Sequence, residues 1–208
     1  METPMARSVS TDRPVYGRPM PRLRSLAAEE IERIVELDTS EEGRSVYVQR
    51  GDRVEQVSQP HRWPTRSRQD WAPAIGRWQG FVRDRGTAIG AFDGDRLVGI
   101  AVMRLRLTKD TDELAGLYVD RAWRRRGVAT MMVDEVERLA REGGARRLYV
   151  SSSEADAAVG FYLSRGFGPA ASPHPELLAL EPRDIHMVLD LRPAHATAGA
   201  GSSEMASR

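Results

Sequence analysis

The run Leu117-Tyr118-Val119-Asp120-Arg121-Ala122-Trp123-Arg124-Arg125-Arg126-Gly127-Val128-Ala129-Thr130 constrains this chain more than any other stretch. It reads as a strand that stops and a helix that starts. Glu113 to Val119 is short, mostly apolar and free of Pro, which suits a buried strand. Val128, Ala129, Met132, Val133, Val136, Leu139 and Ala140 form an apolar stripe at helical spacing. Between them lie three arginines and one glycine. A helix start presents unpaired N–H groups and the positive end of its dipole, and Gly127 lets the backbone approach a ligand closely. The junction suits a phosphate or pyrophosphate; an Arg-rich turn taken alone is a solvated surface.

The rest of the chain favours the first reading. Arg124-x-x-Gly127-x-Ala129, straight after a strand, resembles the acetyl-CoA signature Gln/Arg-x-x-Gly-x-Gly/Ala of the GCN5-related N-acetyltransferases (GNAT). Downstream, Ala158-Val159-Gly160-Phe161-Tyr162-Leu163-Ser164-Arg165-Gly166-Phe167 resembles the Ala-x-x-x-Tyr-x-x-x-Gly-Phe ending of the same superfamily. Each motif is weak alone, and together, in this order and at this separation, they are specific. The resemblance covers roughly residues 21–191 and is close from Gly86 to Phe167.

Composition limits the alternatives. The 208 residues suffice for one domain with a core, and their charges balance to +1, which argues against a nucleic-acid-coating protein. Without Cys, thiol catalysis and Cys-type zinc sites are excluded. The four His residues show no metal-binding spacing, so no metal is expected. No run approaches a membrane span and no secretory signal is visible, so a cytoplasmic protein without membrane partners is expected.

In chain order, residues 1–20 read as a flexible leader, 21–191 as the domain and 192–208 as a disordered tail. A strand at 21–26 precedes a helix at 27–37. Glu41-Glu42-Gly43 breaks the pattern, and 45–49 with 53–57 form a hairpin around Arg50-Gly51-Asp52, which reads as a turn rather than an adhesion motif. Residues 60–64 read as a loop. Trp71, Ile75, Trp78 and Val82 mark a helix to about Asp84. Strands at 87–92, 96–107 and 113–119 follow, then a helix to about Glu142, a strand at 147–151 and a helix at 155–165. Residues 167–182 read as a Pro-rich loop with room for one short strand, before a last strand at 184–191. The fold class is therefore α/β (α+β), a single GNAT-like domain. Its mixed, mainly antiparallel sheet is flanked by helices, with an extra N-terminal hairpin.

The resemblance assigns pyrophosphate binding to the backbone around Arg124, Arg125, Arg126, Gly127, Val128, Ala129 and Thr130. It lays the pantetheine arm along Leu117, Tyr118 and Val119, where the family's kink comes from a bulge; only Gly116 hints at one here. Acetyl-CoA is the implied cosubstrate. Acetyl transfer needs a neutral amine, and an alkylamine with a pKa near ~10.4 is almost wholly protonated at pH 7. Glu113 is the candidate base, with a solvent-facing strand start and a water chain as alternatives. Tyr162 is the candidate acid for the departing thiolate. The family's frequent Asn seven residues before that Tyr is Ala155 here, and Ser151, Ser152 and Ser153 are the candidates to replace its hydrogen bonds.

The implied activity is acetyl transfer to a primary amine of a small molecule. A protein Nα- or Lys-acetyltransferase and a non-catalytic CoA-binding sensor are the alternatives. In this superfamily the acceptor is set by segments corresponding to residues 38–85 and 168–183. Glu41, Glu42 and Glu176 could attract a cation there, and Trp63 and Trp71 could stack on a ring, or all five could be ordinary surface and core. Homodimers are frequent among relatives, which leaves a homodimer open.

Overall fold

Two apolar clusters on opposite faces of one sheet organise the protein, in a computed structural model that describes residues 19–191. The expected tail and all but Pro19 and Met20 of the expected leader lie outside the described residues. The sheet has seven strands in the order β1-β4-β5-β6-β7-β9-β8. These are β1 (Arg22–Leu26), β4 (Thr87–Asp93), β5 (Arg96–Thr108), β6 (Thr111–Val119), β7 (Arg147–Ser152), β8 (Gly168–Pro169) and β9 (Ile185–Asp190). Among the described residues β6 and β7 form its one parallel pair. β2 (Glu41–Arg50) and β3 (Arg53–Trp63) form a separate hairpin.

Strand alternation builds both cores. Ala88, Ile100 and Val102 face α1 (Arg68–Arg83), meeting Trp71, Ile75 and Trp78. Their neighbours Ile89, Ala101 and Met103 face α2 (Val128–Glu142) and α3 (Asp156–Ser164), meeting Met132, Val133, Val136 and Val159. α1 begins at Ser67, whose hydroxyl accepts the Asp70 N–H while the Asp70 carboxylate accepts the Ser67 N–H. No described helix is long and apolar enough to cross a membrane.

Four local expectations are corrected. The segment expected as a helix over 27–37 is 3₁₀, Ala28–Glu36. Its buried residues Ala28, Ile31 and Ile34, continued by Leu37, recur every three positions, and a three-residue turn stacks that stripe on one face. Glu41-Glu42-Gly43 belongs to β2, and most of the expected loop at 60–64 belongs to β3. The ladder tolerates Pro60 because the register shifts there: Gly43 faces His61 while Ser45 faces Ser58. Lastly, the loop expected over 167–182 contains α4 (Pro175–Leu180), which starts with Pro and Glu176 in its first turn.

Candidate functional site

The parallel pairing of β6 with β7 runs only from Thr111↔Arg147 to Glu113↔Tyr149. Beyond that rung the strands part, leaving the β6 backbone from Leu114 onward unpaired on its β7 side. On its β5 side β6 bulges: Gly116 faces Val102 while Leu114 faces Met103, so Ala115 is the extra residue. Gly116 is needed beside it because a Cβ there would lie 2.7 Å from the Trp78 ring. The bulge that Gly116 hinted at is thus present, one residue earlier.

Asp120 fixes the end of β6. Its buried carboxylate accepts from the Ala122 N–H, the Asp38 N–H and Arg96 at 2.9, 3.2 and 3.1 Å. The chain then turns through Arg125 and Gly127, with φ +60 and +81°, into α2. Gly127 accommodates that angle readily, whereas for Arg125 it costs of order 1 kcal/mol. A Cβ on Gly127 would meet nothing nearer than Met20 at 3.7 Å, so the approach to this backbone is open. The first N–H groups of α2 have no intrahelical partner. This cradle and the parted strands fit a pyrophosphate with a pantetheine-like arm. The arginines divide their work: Arg125 and Arg126 are exposed, while Arg124 donates to the carbonyls of Val119 and Ser40 at 3.1 and 2.9 Å. The Arg124 side chain therefore ties the strand end to the loop before β2.

Tyr162 lies on α3 in the cluster facing α2, its ring edge-on to Phe161 and Phe167. Burial and the neighbouring Tyr118 push its phenol well above the usual range, so it holds its proton at neutral pH. Glu113 lies on the opposite face and is 5 % exposed, which removes the solvent-facing alternative. Burial pushes its carboxyl up to about 7, against the pull of Arg104. Arg104 divides itself between Glu176 at 2.9 and 3.2 Å and Glu113 at 3.5 Å, and burial outweighs its pull. Glu176 is thereby engaged at Arg104.

A cavity of about 430 Å³ opens on the α1 face at the mouth of the parted strands. Tyr118 lines it from β6, Ser153 and Glu154 from just past β7, and Arg183 and Asp184 from just before β9. The base of the hairpin supplies Glu41 and Trp63, and Arg66 and Asp70 complete the wall. Residues 38–85, expected to help select the acceptor, supply much of the lining, while 168–183 contributes Arg183; Tyr118, Ser153, Glu154 and Asp184 come from outside both segments. Trp71 by contrast is core, edge-on to Tyr118 at 4.8 Å. Glu42 lies 2.9 Å from Arg121. Glu113 and Tyr162 do not line the cavity.

The hairpin is fastened to this region. The Tyr47 N–H donates to the Glu154 carbonyl at 2.8 Å, and Val46 bridges to Ala155. Ala155, at the position of the family's frequent Asn, is fully buried beside that bridge. Of the serines, Ser151 contacts His186 Nδ1 at 3.2 Å, Ser152 donates to the Ser153 carbonyl at 3.0 Å, and Ser153 reaches the cavity. Asp184 is the residue that the sequence did not single out. Burial, together with the adjacent Glu181, raises its carboxyl well above the ordinary Asp range.

Parted strands, a bulged central strand and an anion cradle at a helix start define an acyl-CoA-dependent transferase. The model of the acetyltransferase (GNAT) family matches residues 48–167, more than half of the chain, and the protein belongs to that family. No curated protein matches the chain. Among solved structures, nourseothricin acetyltransferase is 16 % identical, with a TM-score of 0.62 over 82 % of this chain and 98 % of that one. A protein assigned as a streptothricin acetyltransferase from Bacillus anthracis str. Ames, in complex with acetyl coenzyme A, is 15 % identical, with a TM-score of 0.59 over 81 % and 98 %. The ribosomal-protein-S18-alanine N-acetyltransferase from Escherichia coli is 17 % identical, with a TM-score of 0.55 over 86 % and 98 %. At these identities the likeness establishes the fold.

Proposed function

We propose that the protein is an N-acetyltransferase that moves an acetyl group from acetyl-CoA to a primary amine of a small molecule, by direct attack in a ternary complex in the cytoplasm. The observation that carries this reading is the cavity at the mouth of the parted strands. Its volume of about 430 Å³ is of small-molecule size, and the hairpin base walls it on one side. The small-molecule acetyltransferases among the structural neighbours support the same choice.

In this reading the backbone from Arg125 to Thr130 binds the pyrophosphate, helped by the Arg125 and Arg126 side chains. Each hydrogen bond to a charged group contributes about 1.5–3 kcal/mol. The free backbone edge of Leu117, Tyr118 and Val119 binds the pantetheine arm. Bound acetyl-CoA supplies the activated thioester. Tyr162, kept protonated by burial, donates to the departing sulfur. Glu113, its carboxyl pushed up to about 7 by burial, takes up through solvent the proton that the amine side releases.

The test is a panel of amines assayed for CoA release, with melting temperature followed in acetyl-CoA. Acetyl-CoA should raise the melting temperature of the wild type and leave that of Gly127→Asp unchanged, because a carboxylate would face the pyrophosphate. A wild type whose melting temperature does not respond to saturating acetyl-CoA refutes the reading.

A further inference from the structure

We propose that Asp184, paired with Glu181 beside the acceptor cavity, is the catalytic residue that takes the first proton from the acceptor ammonium. This rests on the acetyl-transfer reading and adds the group that touches the amine. A base must reach the proton it removes. Asp184 lines the cavity, whereas Glu113 sits outside it and contacts Arg104.

The other carboxylates of the wall are less suited. Glu154 is held by Arg183 at 2.6 Å, and Asp70 caps α1 through Ser67 at 2.7 and 2.9 Å. Glu41 stands on the opposite wall, at the base of the hairpin. Asp184 has a different environment. The turn after α4, closed by the Asp184 N–H on the Glu181 carbonyl at 3.1 Å, brings the two carboxyls within hydrogen-bonding reach. Burial and this second carboxylate together oppose the ionisation of Asp184. Arg77 lies 3.8 Å from Glu181, outside the cavity wall that Asp184 lines. The remaining charged or titratable groups facing Asp184 are Arg66, which draws it toward the anion, Glu154, which opposes ionisation, and the phenol of Tyr118. The pair is therefore a stronger base than an ordinary surface Asp and sits against the opening between β6 and β7.

The step balances. The ammonium gives one proton to the Asp184 carboxylate, and the freed nitrogen lone pair forms the N–C bond to the thioester carbonyl. The C–S bond breaks with its electron pair on sulfur. Tyr162 protonates that sulfur and is restored by the second nitrogen proton. Asp184 returns its proton to solvent, so the net products are amide, thiol and one proton.

The experiment measures kcat/KM against pH for the best amine of the panel, on wild type, Asp184→Asn, Asp184→Glu and Glu181→Gln, with melting curves as a folding control. Asp184→Asn should lose about 10²–10⁴-fold at pH 7 with an unchanged KM for acetyl-CoA. Its rate should then climb about tenfold per pH unit, because the neutral fraction of an amine with a pKa near ~10.4 does so. Asp184→Glu should retain the ascending limb of the profile. Glu181→Gln should move that limb to lower pH, because the competing carboxyl is gone. A fully active Asp184→Asn, or one whose deficit is constant from pH 6 to 9, overturns the assignment while leaving acetyl transfer intact. If Asp184→Asn does not fold, a Glu181→Gln profile that superimposes on wild type overturns it instead. A wild type that acetylates no amine overturns both readings.

Discussion

Replacing Glu113 by Gln isolates the electrostatics of the buried carboxylate from any role in turnover. Glu113 is 5 % exposed, and burial raises its carboxyl from 4.5 to about 7. The unfolded chain releases this proton near the ordinary value, so above pH 4.5 the folded protein binds a proton that the unfolded chain does not. The contribution to stability is thus fully present below pH 4.5 and is lost as pH rises through 7. At ~1.4 kcal/mol per pH unit, that interval corresponds to about 3 kcal/mol. The attraction of Arg104 is already inside this figure, because it opposes the shift. Gln keeps the shape and does not ionise, and Arg104 retains its two bonds to Glu176. Glu113→Gln should therefore match wild type near pH 4 and exceed it by about 3 kcal/mol at pH 8. Urea unfolding of both proteins at pH 4, 6 and 8 reads the difference, since all other titrating groups are common to the two. A difference that does not change with pH, or a wild type more stable at pH 8, refutes the reasoning and means that the attraction of Arg104 outweighs the cost of burying the charge.

Two further outcomes are expected of the site. Tyr162→Phe keeps the ring packing against Phe161 and Phe167 and removes the proton, so turnover should fall by about 10²–10⁴ with little change in acetyl-CoA affinity, read by single-turnover kinetics and titration. Trp63→Ala strips the hairpin base from the cavity wall, so the KM for the amine should rise about tenfold while the KM for acetyl-CoA stays constant.

What was legible in the sequence followed from local rules. The apolar period of α2 and the glycine after α3 each act within a few residues, and each lies where the pattern puts it. The turn into α2 was legible because a left-handed turn into a helix favours a residue such as Gly127. The misses were of another kind. The stripe Ala28, Ile31, Ile34 and Leu37 fits three- and near-four-residue periods almost equally, and packing against α1 decided between them. β3 extends through Pro60 because a bulge in the pairing absorbs it, and a bulge depends on the partner strand. Asp184 carried no signal, since its environment is assembled from Glu181, Tyr118, Arg66 and Glu154, which are spread over more than a hundred residues.

The hairpin links the two sides of the proposed reaction. A two-stranded ribbon is marginally stable alone, so β2 and β3 owe their position to what they touch. One set of contacts lies at the cavity, through Glu41 and Trp63. A second set lies where β7 leads into α3: Val46 on Ala155, the Tyr47 N–H on Glu154, and Gln56 Nε2 on the Asp156 carboxylate at 2.7 Å. A third lies at β9, where Gln49 accepts from the His186 N–H at 3.3 Å. Asp156 begins the helix that carries Tyr162, and β9 begins directly after Asp184. A ligand that displaced Trp63 would therefore pull on the start of α3 and on the base of β9 together. The hairpin that walls the cavity is thus also the brace for the elements carrying the proposed acid and base, so under the proposed reaction a change at the hairpin base should alter amine KM and turnover together.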